Sequence, residues 1–318
     1  MEILRSALLC LCVYVIRAQN CPPREDTYPC LCLEKQNEVH IHCSGLTSLE
    51  QLKRPFKGLH GTKILTFTIS GSSIDHLPGD IFQNVSIRNL IISKSSLERI
   101  GNLGEPQFQG LETSLESLKI EETFTEKHPF AYVSIDHLKK LKTLELRKNQ
   151  VEVLHNEWFK NGPANMEVLR FVEGKIRRVG YKALQNLSKL RIVDLSDNEL
   201  DYIPNTVFPE PADFLEEINL ERNKLSSFDE GFFSKMPSLK IVNLELNEFS
   251  TIDETTWGTV WSHIHTFTID YNPIICDSKI KWIYEEGTSL ENKVIATCFK
   301  PFTLMDRELH TLEINELK

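Results

Sequence analysis

Residues Leu190 to Ile203 read LRIVDLSDNELDYI, and their spacing decides the architecture. Leu190, Val193, Leu195, Asn198, Leu200 and Ile203 fill the frame L-x-x-L-x-L-x-x-N-x-L without a gap. One match to such a frame carries little weight. The frame recurs, beginning at Ile64, Ile87, Leu115, Leu141, Met166, Leu190, Leu215, Leu239 and Ile264, which makes nine registers 23 to 28 residues apart. Alternation at Val193 and Leu195 sends those side chains to one face of a short strand, while the residues between them point the other way. No unit of this size can bury its apolar face alone, so the units must stack into one cooperative solenoid.

The frame is that of a leucine-rich repeat, and it predicts an α/β repeat solenoid: a curved horseshoe with about nine short parallel strands on its concave face. Two further columns support the register. Asn149, Asn198, Asn223, Asn247 and Asn272 fall in the turn after each strand, where an amide can satisfy backbone groups of neighbouring coils that water cannot reach. Ser72, Ser95 and Thr123 replace the amide with a hydroxyl in the first three repeats, and Gly174 offers no side chain in the fifth. Five places beyond the last aliphatic, six repeats carry a large residue: Phe82, Phe159, Leu184, Phe208, Phe233 and Trp257. These predict the far wall of the core.

The chain has 318 residues, 41% hydrophobic and 25% charged, with a formal net charge of -9. That balance argues against nucleic acid, whose phosphates need clustered Lys and Arg, and no basic stripe is visible. Residues 1 to 18 combine Arg5, an apolar run from Ala7 to Ile16 and a small residue at Ala18, which reads as a secretory signal peptide. The run is too short for a membrane span, and no later segment is apolar enough for one. The expected product is secreted and extracellular, cut after Ala18.

Of eight cysteines, Cys10 and Cys12 leave with that peptide, so six remain. An even number in an oxidising compartment favours disulfides. Cys21, Cys30, Cys32 and Cys43 crowd before the first repeat among Pro22, Pro23 and Pro29, and predict a cap over residues 19–62 with a strand near Val39 to Cys43. Spacing alone allows three pairings, and zinc held with His40 or His42 is the alternative chemistry. Repeats then occupy residues 63–275, and residues 276–318 form a C-terminal cap and a tail expected to be loosely ordered after Leu312. Repeats two and three carry extra residues around Gly101 to Gly110 and Glu122 to Pro129, which map to convex loops that either bind or have merely drifted. Two N-glycosylation sequons, at Asn84 and Asn186, fall outside the strand face.

The frame also makes the outward strand positions readable. Repeats two to five give Ile91, Ser93, Lys119, Glu121, Glu145, Arg147, Arg170 and Val172, and the later repeats give Asp194, Ser196, Asn219, Glu221, Asn243, Glu245, Thr268 and Asp270, with Ile241, Leu246 and Tyr271 nearby. The second half is acidic with apolar punctuation. Its summed field favours a basic protein partner, although a merely solvated face of an acidic protein fits the same pattern. No nucleophile elbow, phosphate loop or His-Glu-x-x-His helix is present, so no enzyme, cofactor or metal is expected. His40/His42 and His263/His265 each share a strand face but lack evident further ligands.

With Cys21-Pro22-Pro23, Pro29-Cys30-Leu31-Cys32, the nine repeats and the ending Asn272-Pro273-x-x-Cys276-Asp277 followed by Trp282 and Cys298, the chain resembles secreted arthropod leucine-rich repeat proteins. It is similar among them to the non-catalytic subunits of Oplophorus-type luciferin monooxygenases. The resemblance implies pairing of Cys21 with Cys32 and of Cys30 with Cys43. Where such proteins commonly carry Cys-x-Cys, this chain has Cys276-Asp277-Ser278, so one C-terminal disulfide is missing and Cys276 is left to Cys298. It further implies a scaffold or recognition role with no catalytic residue. The partner would be an extracellular protein such as a small secreted catalytic subunit, with innate-immune or matrix recognition as another role and a homo-oligomer left open.

Overall fold

The computed structural model describes residues 20–132, 134–285 and 289–318, so the expected signal peptide, with Cys10 and Cys12, lies outside the described residues. One twelve-stranded sheet runs the length of the molecule. The N-terminal cap supplies β1 (Leu31–Lys35) and β2 (Glu38–Ser44), paired antiparallel. Parallel strands follow, one per repeat: β3 (Lys63–Ser70), β4 (Ser86–Ser93), β5 (Ser117–Glu121), β6 (Thr143–Arg147) and β7 (Val168–Val172). Then come β8 (Ile192–Asp194), β9 (Glu217–Asn219), β10 (Ile241–Asn243) and β11 (Thr266–Thr268), and the C-terminal cap adds β12 (Val294–Ile295). The nine strands β3 to β11 are the nine sequence registers, and a cap strand extends the sheet at each end.

Along every repeat strand the aliphatic positions of the frame are buried. Leu118 and Ile120, Leu144 and Leu146, and Val193 and Leu195 are each no more than 2% exposed. Phe82, Phe159, Leu184, Phe208, Phe233 and Trp257 wall the opposite side of this core, and all six are buried. Stacked coils bring their rings into contact, with Phe233 and Trp257 centroids 4.1 Å apart and Trp257 and Phe267 4.7 Å apart. Aromatic pairs of this kind add roughly 0.5 to 1.5 kcal/mol beyond the area they bury.

The extra residues of repeats two and three serve this wall. Phe108, inside the first insertion, is 1% exposed and lies 6.1 Å from the Phe82 ring, while Phe130 packs 4.8 Å from Phe124 and 5.9 Å from Trp158. Gln107 is buried beside Phe108 and ties the two loops together. Its Nε2 donates to Ile100 O at 2.7 Å, and its Oε1 accepts from Ser134 N at 3.2 Å.

The turn after each strand is closed by the asparagine column. Asn223 Oδ1 accepts from Leu200 N of the preceding coil at 3.0 Å, and its Nδ2 donates to Leu195 O of that coil and to Leu220 O of its own, each at 3.0 Å. Asn198, Asn247 and Asn272 repeat this pattern, and Asn149 reaches back to Thr123 N and Ile120 O. The hydroxyls substitute in part: Ser72 Oγ accepts from Leu46 N at 3.0 Å and Ser95 Oγ from Ser72 N at 3.2 Å. At Gly174 the main chain takes over, because Val151 N donates to Gly174 O at 2.9 Å. A Cβ there would stand 3.2 Å from Asn198 Oδ1, so the smallest residue keeps that amide in place.

Disulfides join Cys21 to Cys32, Cys30 to Cys43 and Cys276 to Cys298. In the C-terminal cap, Trp282 Nε1 donates to Ile252 O at 2.8 Å and its ring lies 5.0 Å from Trp261. The tail departs from the loose order expected of it. Beyond Leu312, Leu317 is buried and Arg307 holds Glu316 at 2.6 Å, so an apolar side chain and an ion pair fasten it to the cap, where Leu309 and Leu312 are also buried.

Replacing Asn223 with Ala strands a buried N–H and several carbonyls, and is expected to lower unfolding stability by roughly 2 to 3 kcal/mol, read as a reduced urea midpoint. Cys276→Ser with Cys298→Ser should cost about 3 kcal/mol on the chain-entropy estimate, again measured by denaturant unfolding.

Candidate protein-binding face

Parallel pairing in fixed register aligns the outward side chains into rows. One row runs Ile91, Lys119, Glu145, Arg170, Asp194, Asn219, Asn243, Thr268 and Ile295, each opposite the next. Neighbouring strands lie about 4.8 Å apart, so charges on successive coils sit within direct reach of one another.

The two halves of this face are built differently. In the first half the charges pair: Lys119 Nζ lies 2.9 Å from Glu145 and 3.1 Å from Glu121, Arg147 2.7 Å from Glu173, and Lys148 3.1 Å from Glu122. Burial opposes the charge on Lys119, yet its bonds to Glu145 and Glu121 outweigh that and raise its pKa. In the second half carboxylates outnumber cations. Glu221 has Arg222 at 3.3 Å and accepts from Asn243 Nδ2 at 3.2 Å, while Asp270 accepts from Thr297 Oγ1 at 2.7 Å. Partial burial pushes the Glu245 carboxyl above its ordinary range, and the Glu221 and Asp270 carboxylates push it further against a smaller opposing pull from Arg222.

Several residues expected to face a partner are committed to the turn. Asp194, Asn219 and Asn243 each accept, through Oδ1, the N–H two residues on, at 3.0, 3.1 and 3.0 Å. These local bonds close the turn where the later strands are only three residues long. Val172 and Ser196, expected on the outward face, are instead buried at 8% and 5% exposure. Val172 is the last residue of its strand and stays outside the core cluster, and Ser196 Oγ turns back to donate to Asp194 Oδ1 at 2.6 Å.

A column that sequence reasoning missed completes the rim. Gly71, Lys94, Glu122, Lys148, Glu173, Asp197, Arg222, Leu246 and Tyr271 all have positive φ, between 46° and 57°, one residue per coil. Each immediately precedes the asparagine-column position, and the left-handed turn throws its side chain outward. After Gly71, charged residues fill the column until the last two coils, where Leu246 and Tyr271 stand side by side. Tyr271 is 68% exposed, Ile241 40% and Ile295 50%. Glu221, Glu245 and Asp270 are therefore bordered by exposed apolar side chains. The signal in the sequence was a non-glycine residue at a fixed offset before each asparagine.

Asn84 and Asn186 are exposed and lie off this face, in the segments that lead into β4 and β8. Asn186 Nδ2 donates to Lys160 O at 2.6 Å. His42 Nε2 lies 3.3 Å from Ser70 Oγ, and among the described residues no group of three or more His, Cys, Asp or Glu is placed to hold a metal ion. No helix among them is long and apolar enough to cross a membrane.

Residues 139–200 and 214–260 match the family described as Leucine rich repeat. Among solved structures, the chain is similar to one from a TLR13–ssRNA13 complex, at 21% identity and a TM-score of 0.61, over 72% of this chain and 31% of that one. It therefore spans less than a third of that chain's length. It is also similar to a chain from an octameric complex of Latrophilin 3, Unc5D and FLRT2, in which FLRT2 is the leucine-rich repeat component, at 16% identity and a TM-score of 0.61, over 93% of this chain and 98% of that one. At these identities the likeness establishes the fold, and the protein is a leucine-rich repeat solenoid.

The raised Glu245 pKa fixes the sign of a pH effect. Between its ordinary value of 4.5 and the raised value, the folded state binds more protons than the unfolded state, so this group's contribution to stability falls as pH rises. Glu245→Gln is accordingly expected to raise thermal stability at pH 7, by less than about 1 kcal/mol for so accessible a group. The gain should vanish below pH 4.5 in thermal melts.

Proposed function

We propose that this is an extracellular, non-catalytic binding protein that captures a basic protein partner on the second half of its concave face. The observation that carries the reading is the contrast along one rigid sheet. Cations neutralise the carboxylates of the first half, whereas Glu221, Glu245 and Asp270 keep an excess of negative charge beside Ile241, Leu246, Tyr271 and Ile295. A partner presenting Lys or Arg among apolar side chains would supply the missing counter-charge and cover the exposed Tyr271 ring and its aliphatic neighbours, with the field speeding encounter and the apolar contacts holding the complex. Three disulfides suit an oxidising location. The solved relatives of this fold come from complexes with RNA and with other proteins, which supports a recognition role. A small secreted catalytic subunit of the kind implied by the sequence resemblance is one partner of this chemistry.

The test is capture from native secretions with the purified protein beside a variant carrying Glu221→Lys, Glu245→Lys and Asp270→Lys, its fold checked by circular dichroism. A basic protein retained by the native form and lost, by at least about tenfold, from the variant is the expected result. Undiminished retention by the folded variant would reject this face as the site.

A further inference from the structure

A niche lies on the edge of the solenoid where strands begin, away from the concave face. It arises from a step in the sheet. Strands β2, β3 and β4 are seven or eight residues long, and β3 pairs with β4 from Lys63 opposite Ser86, skipping Leu65 and Arg88. The next strand, β5, joins only from Ser117, opposite Asn89. The overhang leaves a niche of about 310 Å³, into which Glu38, Lys63, Ser86, Arg88, Ser114 and Lys140 open, with Thr113 and Glu116 at its far wall.

The chemistry of this lining is specific. Three cations converge from different coils: Lys63 and Lys140 are exposed, with no ion pair or hydrogen bond through their ammonium groups among the described residues, and Arg88 is held only loosely by Glu116 at 3.7 Å. Between them stand hydroxyls. Ser114 Oγ accepts from Ile87 N at 3.3 Å, which leaves its own proton to donate into the niche. Lys140 belongs to the run Leu138-Lys139-Lys140-Leu141-Lys142, in which Leu138 and Leu141 are fully buried, so packing forces the lysines outward; Lys139 Nζ donates to Asp136 O at 3.2 Å and Lys142 pairs with Glu167 at 3.6 Å, and Lys140 opens into the niche. Glu38 adds an acceptor. Cations and hydroxyl donors to bind sulfate, with a carboxylate to accept from ring hydroxyls or an amine, make up the set that a charged sugar needs. The volume lies at the lower end of that of small-molecule pockets, which suits one or two pyranose rings.

We infer that this niche binds a sulfated glycan, with sulfate groups on Lys63, Arg88 and Lys140. The site is electrostatically local, on a protein whose net charge of -9 opposes unspecific attraction of polyanions. It shares no residue with the proposed partner face, so either can fail alone.

Binding of a short heparin-derived oligosaccharide to the full-length protein tests the inference. Hyaluronan of equal length, which carries carboxylates and no sulfate, and a single-stranded RNA oligomer serve as parallel probes. The native protein should bind the sulfated chain in a salt-sensitive manner. Lys63→Glu with Lys140→Glu should weaken it by at least about tenfold, whereas Lys235→Glu with Lys240→Glu, an equal charge change at other exposed positions, should alter it less than about twofold. Lys140→Arg should keep most of the affinity, which separates lost charge from lost fold. Absent binding, equal loss in both double variants, or equal or tighter binding of hyaluronan or RNA would each overturn the assignment.

Discussion

A solenoid of tight turns leaves backbone N–H and C=O groups in its interior, and the amide that bridges one coil to the next is the interaction on which the rest depends. Asn198, Asn223, Asn247 and Asn272 each accept from the preceding coil and donate to carbonyls on both coils. Without them the turns would bury unpaired polar groups, each costing roughly 1 to 3 kcal/mol. After the first coil the left-handed residue before this column turns its side chain outward whether or not an amide follows it, and in the last two coils that residue is Leu246 or Tyr271.

Rigidity of this kind makes an unbalanced surface tolerable. Like charges on flexible loops would move apart, but Glu221, Glu245 and Asp270 ride on turns spaced by the sheet, and partial burial followed by their repulsion raises the Glu245 pKa. The core supplies the offsetting stabilisation. Its aromatic wall runs through Phe228, Phe233, Trp257 and Phe267 beneath this half of the face, with successive centroids 4.1 to 5.1 Å apart.

Periodicity made the repeat strands, the asparagine column and the buried wall legible, because each is a consequence of a fixed offset. Features that depend on where the period breaks were harder to read. Phe108 and Phe130 sit in insertions and rejoin the wall only through three-dimensional packing. Asp194, Asn219 and Asn243 look like surface residues in a strand template, yet short strands turn their side chains to local backbone. Lys63, Arg88 and Lys140 are separated by most of a repeat or more in sequence, and no linear basic stripe announces them. Their convergence follows from the overhang of β3 and β4, whose early start the repeat frame does not encode.

Gly174 gives the array a seam. Every join among the later coils is stitched by a side-chain amide, but between the fourth and fifth coils the turn is closed by main-chain bonds, Lys148 N to Val172 O and Val151 N to Gly174 O. Rings of Trp158 and Phe159, 6.0 and 6.4 Å from Phe171, hold that join from the core side. A tensile load along the solenoid meets there a turn crossed by main-chain bonds and the Arg147–Glu173 ion pair with no bridging amide, a join whose resistance would weaken as salt is added.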